Sequence, residues 1–297
     1  MAVKAFFNKY GMGYLYLAPF MIFFAVFTVI PVVVAAVTSF TNYNMFQPAV
    51  FLGINNFKLL FLDDDVFLIA LRNTFFFAVI AGPVSFFLSF FAAWIINQLK
   101  FRNAFALAFY APTLTSGIAM SVVWLWFFSP DRYGLINNFL LNLGAIKEPL
   151  LFTIDPKFLL PVIMVISIWM GMGQGFLVFL AGLQNVSQEL YEAAAVDGLK
   201  YKMQELFYIT LPVLKPQLLF GAVNTTVTSI AVFDIAVSVA PIPSPEYAAH
   251  TIVTHLYDYA FIRFQMGYAS SIALILFLAT FLLGRVFFRV FASRDEI

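Results

Sequence analysis

Charged residues are so sparse in this chain that they leave long intervals without a single Asp, Glu, Lys or Arg. Crossing the ~30 Å hydrocarbon core of a bilayer takes about 20 helical residues. Backbone N–H and C=O groups in lipid must be bonded within the chain, so we interpret these intervals as helices. The sequence predicts an all-α integral membrane protein with about six transmembrane helices. The uncharged intervals are 10–57, 73–99, 103–130, 158–188, 216–233 and 264–284.

The composition leads to the same conclusion and excludes several other classes of protein. Hydrophobic residues make up 63% of the 297 positions, and charged residues only 10%, against ~25% in soluble domains. The chain has no cysteine, which excludes disulfides and thiolate metal ligands. The net charge of +1 comes without a basic stripe, so no nucleic-acid partner is expected. The expected surroundings are a lipid bilayer.

The distribution of Lys and Arg orients the predicted spans. With a cytoplasmic N-terminus, 10 of the 16 basic residues lie inside and 6 outside, as the positive-inside rule requires. Both termini are then cytoplasmic. The chain is predicted to form one transmembrane domain, residues 1–297. Its spans are placed at 14–39, 74–98, 105–128, 159–183, 217–240 and 268–291.

The segment 184–216 is the only sizeable connection on the predicted cytoplasmic side. Ser187 can cap a helix whose first turn contains Glu189, a favourable place for a carboxylate. Alanines at 193–195 favour the helix and add no bulk, and Gly198 can form its C-terminal turn. A plain amphipathic connector fits the same pattern.

A second short helix is predicted at 201–208, ending ahead of Pro212, which disfavours continuation. The two helices would lie across the cytoplasmic mouth of the bundle. The apolar anchors expected for them are Leu190, Leu199, Leu206 and Phe207.

The letters E-A-A-A-V-D-G, followed by I-T-L-P, resemble the EAA loop of binding-protein-dependent ABC importer permeases. The stretches FLGINNFKLLFLDDDVFLIALRNT and FFSPDRYGLINNFL resemble external segments of the carbohydrate branch, the one that includes the maltose-type first permease subunit. The resemblance covers about 14–290. The matching loop positions are Glu192, Ala193, Ala194, Asp197, Gly198, Ile209, Leu211 and Pro212.

This resemblance implies a type I ABC importer transmembrane fold that forms the path for a sugar or oligosaccharide. It implies that the 184–216 loop is a coupling helix that docks into a separate ATPase. The partners implied are a second homologous permease chain, two ATPase subunits and an extracellular or periplasmic solute-binding protein. The location implied is the bacterial cytoplasmic membrane.

No G-x-x-x-x-G-K-[ST] phosphate loop occurs in the sequence. We therefore expect a transport subunit and not an enzyme. No catalytic residue, metal site or cofactor is predicted in this chain, and ATP and Mg²⁺ would bind the partner ATPase.

Polar side chains inside spans are costly and are candidates for function, and here they concentrate in the fourth and fifth spans. A sugar needs hydroxyl and amide partners, and glycines in the fourth span would let it approach the backbone. Ordinary packing of small and hydroxyl residues between helices explains the same residues equally well. The candidates for the substrate path are Ser167, Gly171, Gln174, Asn224, Thr225, Thr228, Ser229 and Asp234.

Three acidic or basic features receive simpler interpretations. Asp234 lies toward the outer end of the fifth span, where an interfacial position is slightly favoured over a substrate contact or gate. His250 and His255 are five residues apart without an H-E-x-x-H pattern, so we expect a solvated external helix over 246–262. The aspartates at 63–65 are expected to form a solvated external turn.

Two other functions fit a polytopic membrane protein. An ion-coupled secondary carrier usually has internal repeats and intramembrane ionisable residues, and here only Asp234 qualifies. A membrane-embedded enzyme needs acids, His or Cys grouped at membrane depth, and the sequence offers no such group. Both alternatives are less favoured than the importer subunit.

Overall fold

The computed structural model describes residues 2–115 and 117–291, and within these ranges the fold is helical. The single β-type pairing there is an isolated bridge between Thr41 and Phe51. The predicted all-α class is therefore confirmed. The helices are α1 (Ala2–Phe24), α2 (Ile30–Thr38), α3 (Asn55–Leu62), α4 (Asp65–Asn97), α5 (Arg102–Leu114), α6 (Gly117–Phe127), α7 (Leu135–Asn142), α8 (Pro156–Gln184), α9 (Gln188–Val196), α10 (Lys202–Glu205), α11 (Leu211–Val213), α12 (Lys215–Ile230), α13 (Asp234–Val239), α14 (Ile252–Tyr257) and α15 (Met266–Phe291).

Four helical segments in the described part of the chain are long and apolar enough to cross a membrane. They are Met12–Thr38, Asp65–Asn97, Pro156–Gln184 and Met266–Phe287. Two bent pairs of helices also qualify if each pair counts as one span, which gives up to six. The number of predicted spans is thus consistent with the fold. The C-terminal residues 292–297, which are predicted to be cytoplasmic, lie outside the described residues.

The third predicted span, 105–128, is not one continuous helix. α5 ends at Leu114, Thr115 is extended, and the axis turns by 99° before the helix that ends at Phe127. Pro112 cannot donate the backbone hydrogen bond of a regular helical turn, and Gly117 at the start of α6 weakens a helix interior. Together they allow the break that hydropathy alone does not reveal.

The fifth predicted span, 217–240, is also broken. α12 ends at Ile230, and a short α13 begins only at Asp234. In the gap, the buried Val232 offers its carbonyl to the hydroxyl of Thr251 at 3.1 Å. A tertiary hydrogen bond therefore satisfies a group that a continuous helix would have used internally. Asp234 consequently lies at a helix start and not at a helix centre.

The Cα positions divide into two compact units, and the first comprises Met1–Asp64 and Leu256–Phe277. In this unit the buried Asn56 donates to the carbonyls of Ser39 and Thr41, both at 2.8 Å. These bonds fix the turn that follows α2. A Cβ atom on Gly267 would collide with the carbonyl of Thr41, so the start of α15 lies directly against that turn.

The predicted solvated acidic turn is wrong for Asp64. Its carboxylate is only 8% exposed and accepts hydrogen bonds from the hydroxyls of Tyr268 at 2.6 Å and Tyr259 at 3.4 Å. Burial, and next the negative charge of Asp64, raise the pKa of Tyr259. The phenols on α15 and just before it therefore compensate the burial of this carboxylate.

The second unit comprises Asp65–His255 and Leu278–Ile297, and its centre is the packing of α4 against α8. Glycines on α8 face serines on α4: a Cβ on Gly175 would lie 3.1 Å from Ser89 Oγ, and one on Gly171 would lie 3.2 Å from Ser85 Oγ. Small residues let membrane helices approach closely. The packing interpretation of the α8 glycines therefore holds for Gly175.

The predicted solvated helix at 246–262 is wrong. His250 and His255 are 2% and 1% exposed, and His250 Nε2 lies 3.2 Å from His255 Nδ1. The segment is not one helix from 246, because a 3₁₀ turn at Pro245–Tyr247 precedes α14. The later part is helical as predicted, with α14 continuing as a π-helical turn to Ile262. Asn73 on α4 holds this fold by donating to the carbonyls of Tyr247 and His250, both at 3.0 Å.

Gly221 on α12 provides a test of how α12 packs against Phe179 on α8. A Cβ there would lie 2.5 Å from Phe179 Cζ, and Phe179 is fully buried between the rings of Phe86 and Phe90. We expect Gly221→Ala to lower the free energy of unfolding by about 1–3 kcal/mol, the usual cost of overpacking. Thermal unfolding midpoints in one detergent would measure the loss.

Gly284→Ala is the matched control, because Gly284 is also helical but has nothing within 4 Å of its Cβ position. That variant should keep or slightly raise the midpoint. Equal midpoints for the two variants would contradict the described packing of α12 against Phe179.

Candidate functional site

A cavity of about 390 Å³ lies within the second unit, between α4, α8, α12 and α13. Its wall combines hydroxyl, amide and carboxylate groups with apolar side chains and glycines. The described residues that line it are Phe77, Ala81, Ser85, Gly117, Ser167, Ile168, Met170, Gly171, Gln174, Gly175, Asn224, Thr225, Thr228, Ser229, Ala231, Val232, Phe233, Asp234 and Ile235.

All eight residues that the sequence singled out for a substrate path line this one cavity. They come from α8 (Ser167, Gly171, Gln174), from α12 (Asn224, Thr225, Thr228, Ser229) and from the start of α13 (Asp234). The structure brings them together. Their role in binding a solute stays a prediction.

The threonine hydroxyl groups of α12 that line the cavity are already used as donors within the helix. Thr225 donates to the carbonyl of Gly221 at 2.9 Å, and Thr228 donates to that of Asn224 at 3.0 Å. Each oxygen keeps lone-pair capacity after donating its only proton. These two threonines therefore present hydrogen-bond acceptors to the cavity, whereas the Asn224 amide and the Ser229 hydroxyl on the same helix remain able to donate.

Several polar side chains in the wall lack hydrogen-bond partners within the described residues. They are Ser85, Ser167, Gln174, Asn224, Ser229 and Asp234. The Oγ of Ser167 is buried and makes no hydrogen bond, and the amides of Gln174 and Asn224 make none either. For the buried Ser167 Oγ, the lack of a partner costs free energy unless something binds it. These groups can donate to and accept from a bound polar molecule.

α4 supplies a wall that the sequence analysis missed. Phe77, Ala81 and Ser85 line the cavity, and Phe77 is only 2% exposed. They are spaced four residues apart, so they lie on one face of the helix. That spacing is the signal that could have identified them, but in a solidly apolar span it does not stand out.

The carboxylate of Asp234 is exposed and lines the cavity. Its side chain makes no hydrogen bond and no ion pair with any described residue. No Lys, Arg or His is among the described lining residues. The cavity therefore carries a net negative charge from its own wall when Asp234 is ionised.

The 184–216 loop begins as predicted. Ser187 caps α9 by accepting from the backbone N–H of Glu189 at 3.3 Å, and Gly198 forms the turn with φ +98°. The α9 side chains are largely uncovered, and Val196 is 89% exposed. Of the motif positions here, Glu192, Ala193, Asp197 and Gly198 are exposed and Ala194 is half-buried.

The second half of the loop differs from the prediction. After α10, a π-helical turn at Leu206–Thr210 leads into α11, so the helix does not end ahead of Pro212 but continues to Val213. Pro212 occupies the first turn of α11, where its missing N–H is tolerated. The motif residues Ile209 and Leu211 are half-buried, and Pro212 is exposed.

Only part of the predicted apolar anchoring is present. Leu206 is 1% exposed, whereas Leu190 and Phe207 are 46% and 59% exposed; Leu199 is half-buried. A hydrogen bond of 3.0 Å between the Tyr191 hydroxyl and Thr210 Oγ1 ties α9 to the π-helical turn. The two halves of the loop are therefore linked by a polar contact that the sequence did not suggest.

The loop joins the two helices that contribute most of the predicted cavity residues. α8 carries Ser167, Gly171 and Gln174 and ends at Gln184, where the loop begins. The loop ends where α12 begins, and α12 reaches the cavity at Asn224. Among the described residues there is no group of three or more His, Cys, Asp or Glu that could hold a metal ion.

Comparison with known proteins decides the family. The probable ABC transporter permease protein YesP of Bacillus subtilis is 32% identical over 280 residues, which cover 93% of this chain and 89% of the relative. The chain belongs to the ABC transporter permeases. The arabinooligosaccharides transport system permease protein AraP of B. subtilis is 30% identical to this permease over 97% of the chain and 91% of AraP.

The lactose transport system permease protein LacF of Rhizobium radiobacter is 29% identical over 96% of this permease and 94% of LacF. Among solved structures, a bacterial ABC transporter involved in the import of the acidic polysaccharide alginate has a chain of the same fold. Its TM-score is 0.81, with 22% identity, over 99% of this permease and 100% of that chain. No family model matches the chain.

A substitution at Ser167 tests whether the cavity binds solute or has only a structural role. Its buried Oγ makes no hydrogen bond, so Ser167→Ala should keep or slightly raise the thermal stability of the permease. If the group contacts solute, transport should fall roughly fivefold, for the loss of a hydrogen bond of about 1 kcal/mol. Unfolding midpoints and solute uptake by reconstituted complexes would measure the two effects.

Ser89→Ala is the control, because Ser89 lies outside the cavity lining and its Oγ bonds the carbonyl of Ser85 at 2.7 Å. It should lower stability by about 0.5–1.5 kcal/mol. Unchanged uptake in the Ser167 variant would exclude a solute contact at this position.

Proposed function

We propose that this permease forms part of the translocation path of an ATP-driven importer for a sugar or oligosaccharide. The observation that supports this most directly is the connection described above: the loop with the EAA-like residues joins the two helices that line the polar cavity. Movement of the loop must act on both α8 and α12, because each of these cavity-lining helices continues into the loop.

The chemistry of the cavity suits a saccharide. Sugars present many hydroxyl groups and an apolar ring face, and the cavity offers the amides of Gln174 and Asn224 beside the aromatic rings of Phe77 and Phe233. Relatives are named as permeases for arabinooligosaccharides and lactose. Together these points favour a sugar over an ion or a lipid.

Coupling to a separate ATPase is proposed for α9. This helix is capped, alanine-rich and uncovered in the described structure, so another protein surface can approach its backbone closely. The chain lacks a phosphate-binding loop motif. ATP and Mg²⁺ would therefore bind two partner ATPase subunits, and the 184–216 loop would face the cytoplasm of a bacterial cell, with both termini on that side.

A second permease chain and an external solute-binding protein complete the proposed assembly. None of the most apolar window within the segment Met12–Thr38 is buried inside the described chain, so lipid or a second permease must cover this helix. One alginate transporter structure is of a complex with an alginate pentasaccharide-bound periplasmic protein. We infer that a comparable solute-binding protein contacts this permease, on the face opposite α9.

Gly198 provides the test of coupling. Its backbone has φ +98°, and nothing lies within 4 Å of its Cβ position, so Gly198→Ala introduces backbone strain without a collision. An L-residue in the left-handed region is disfavoured by about 1–2 kcal/mol. We expect the variant complex to lose most of the ATP hydrolysis that solute and binding protein stimulate.

Gly144→Ala is a matched control, since Gly144 has φ +70°, an equally open Cβ position and a location outside the loop. It should retain stimulated hydrolysis. The proposal fails if the permease purifies without an ATPase, or if both variants behave alike. Uptake of a panel of labelled mono- and oligosaccharides by the reconstituted complex would then identify the solute.

A further inference from the structure

We infer that the cavity excludes anionic saccharides and admits uncharged ones, with Asp234 as the residue that sets this preference. The inference rests on the proposed function, since it treats the cavity as the solute path. It adds the charge class of the solute, which differs even among relatives and structural neighbours: one neighbour imports an acidic polysaccharide.

The first support is the charge of the wall itself. Asp234 is the sole ionisable side chain among the described lining residues, and no cation in that set offsets it. Its carboxylate has neither a hydrogen bond nor an ion pair within the described chain. No described neighbour therefore neutralises the negative charge that this residue brings to the cavity wall.

The second support is the size of the cavity. A sphere of 390 Å³ is about 9 Å across, which is close to the screening distance of ~8 Å at physiological ionic strength. A solute inside the cavity cannot move far enough from Asp234 for salt to screen the interaction fully. A clefted, partly apolar wall strengthens such a field further.

The third support is the hydrogen-bonding character of the remaining wall. Thr225 and Thr228 donate their protons within α12 and present acceptor oxygens. These acceptor oxygens favour the O–H donors of a neutral sugar, and the donors that remain in the wall for a uronate, sulfonate or phosphate are uncharged ones, such as the amides of Gln174 and Asn224. The buried Oγ of Ser167 adds one group without a partner that a sugar hydroxyl can satisfy.

The absence of cysteine from the chain allows a direct measurement of this potential. Thr228→Cys places a single thiol in the cavity wall of the assembled complex in nanodiscs. Its reaction rates with a cationic trimethylammonium methanethiosulfonate and an anionic sulfonate methanethiosulfonate are measured from the mass of this chain. The ratio of the two rates is normalised to that of a free thiol in the same buffer.

We expect the normalised ratio to favour the cationic reagent about tenfold, within the range of electrostatic effects in charged clefts. Adding Asp234→Asn, which keeps the shape of the side chain, should return the ratio close to one. A thiol at Leu143, 64% exposed and outside the cavity lining, should show no effect of Asp234→Asn.

A normalised ratio near one in the presence of Asp234, or a ratio unchanged by Asp234→Asn, overturns the inference. So does a failure of both reagents to react at Thr228→Cys and at a second wall position, Ile235→Cys, because solutes could not then reach the cavity. The assay requires no ATP hydrolysis. Its failure is therefore distinguishable from failure of the Gly198 coupling test.

Discussion

The close approach of α4 and α8 is the contact on which the second unit depends. Gly171 and Gly175 on α8 leave room for the hydroxyl groups of Ser85 and Ser89 on α4, and Ser89 bonds carbonyls on both helices, at 2.7 Å to Ser85 and 3.1 Å to Met172. In lipid, apolar surface gives little driving force for association, so close van der Waals contact and such hydrogen bonds must hold the helices together. The same contact fixes the distance between two walls of the cavity.

The breaks in the helices follow from the same requirement that backbone groups be bonded. Where α12 stops, the carbonyl of Val232 accepts from Thr251, and the segment after Tyr247 is held by the amide of Asn73. Irregular backbone at membrane depth is tolerated where protein groups satisfy it or where it lines a cavity. The interruption before Asp234 meets both conditions, because Val232 and Phe233 also line the cavity.

Much of the architecture could be predicted from the sequence, because lipid imposes long apolar helices and caps follow local rules. Ser187 and Gly198 have the predicted roles in structure, and the polar residues of α8 and α12 converge because each set lies on one helix face. The breaks after Thr115 and Ile230, the buried His250–His255 pair and the buried Asp64 could not be predicted. The break after Ile230 and the burial of Asp64 depend on partners distant in the chain, Thr251 for Val232 and Tyr268 for Asp64. Local patterns carry no information about such partners.

The bond between Tyr191 and Thr210 has a mechanical consequence. It ties α9 to the π-helical turn at Leu206–Thr210, which precedes α12 and meets it at a bend of 79°. This bend gives α12 a pivot near Lys215. Nine residues separate Lys215 from Asn224, a lever arm of about 14 Å at the helical rise of ~1.5 Å per residue. A rigid tilt of α12 by about 10° at the pivot would move the Asn224 side of the cavity by roughly 2 Å. That displacement is close to the H···O distance of a hydrogen bond, ~2 Å. A small rotation transmitted from α9 is thus geometrically sufficient to make or break contacts with a molecule in the cavity.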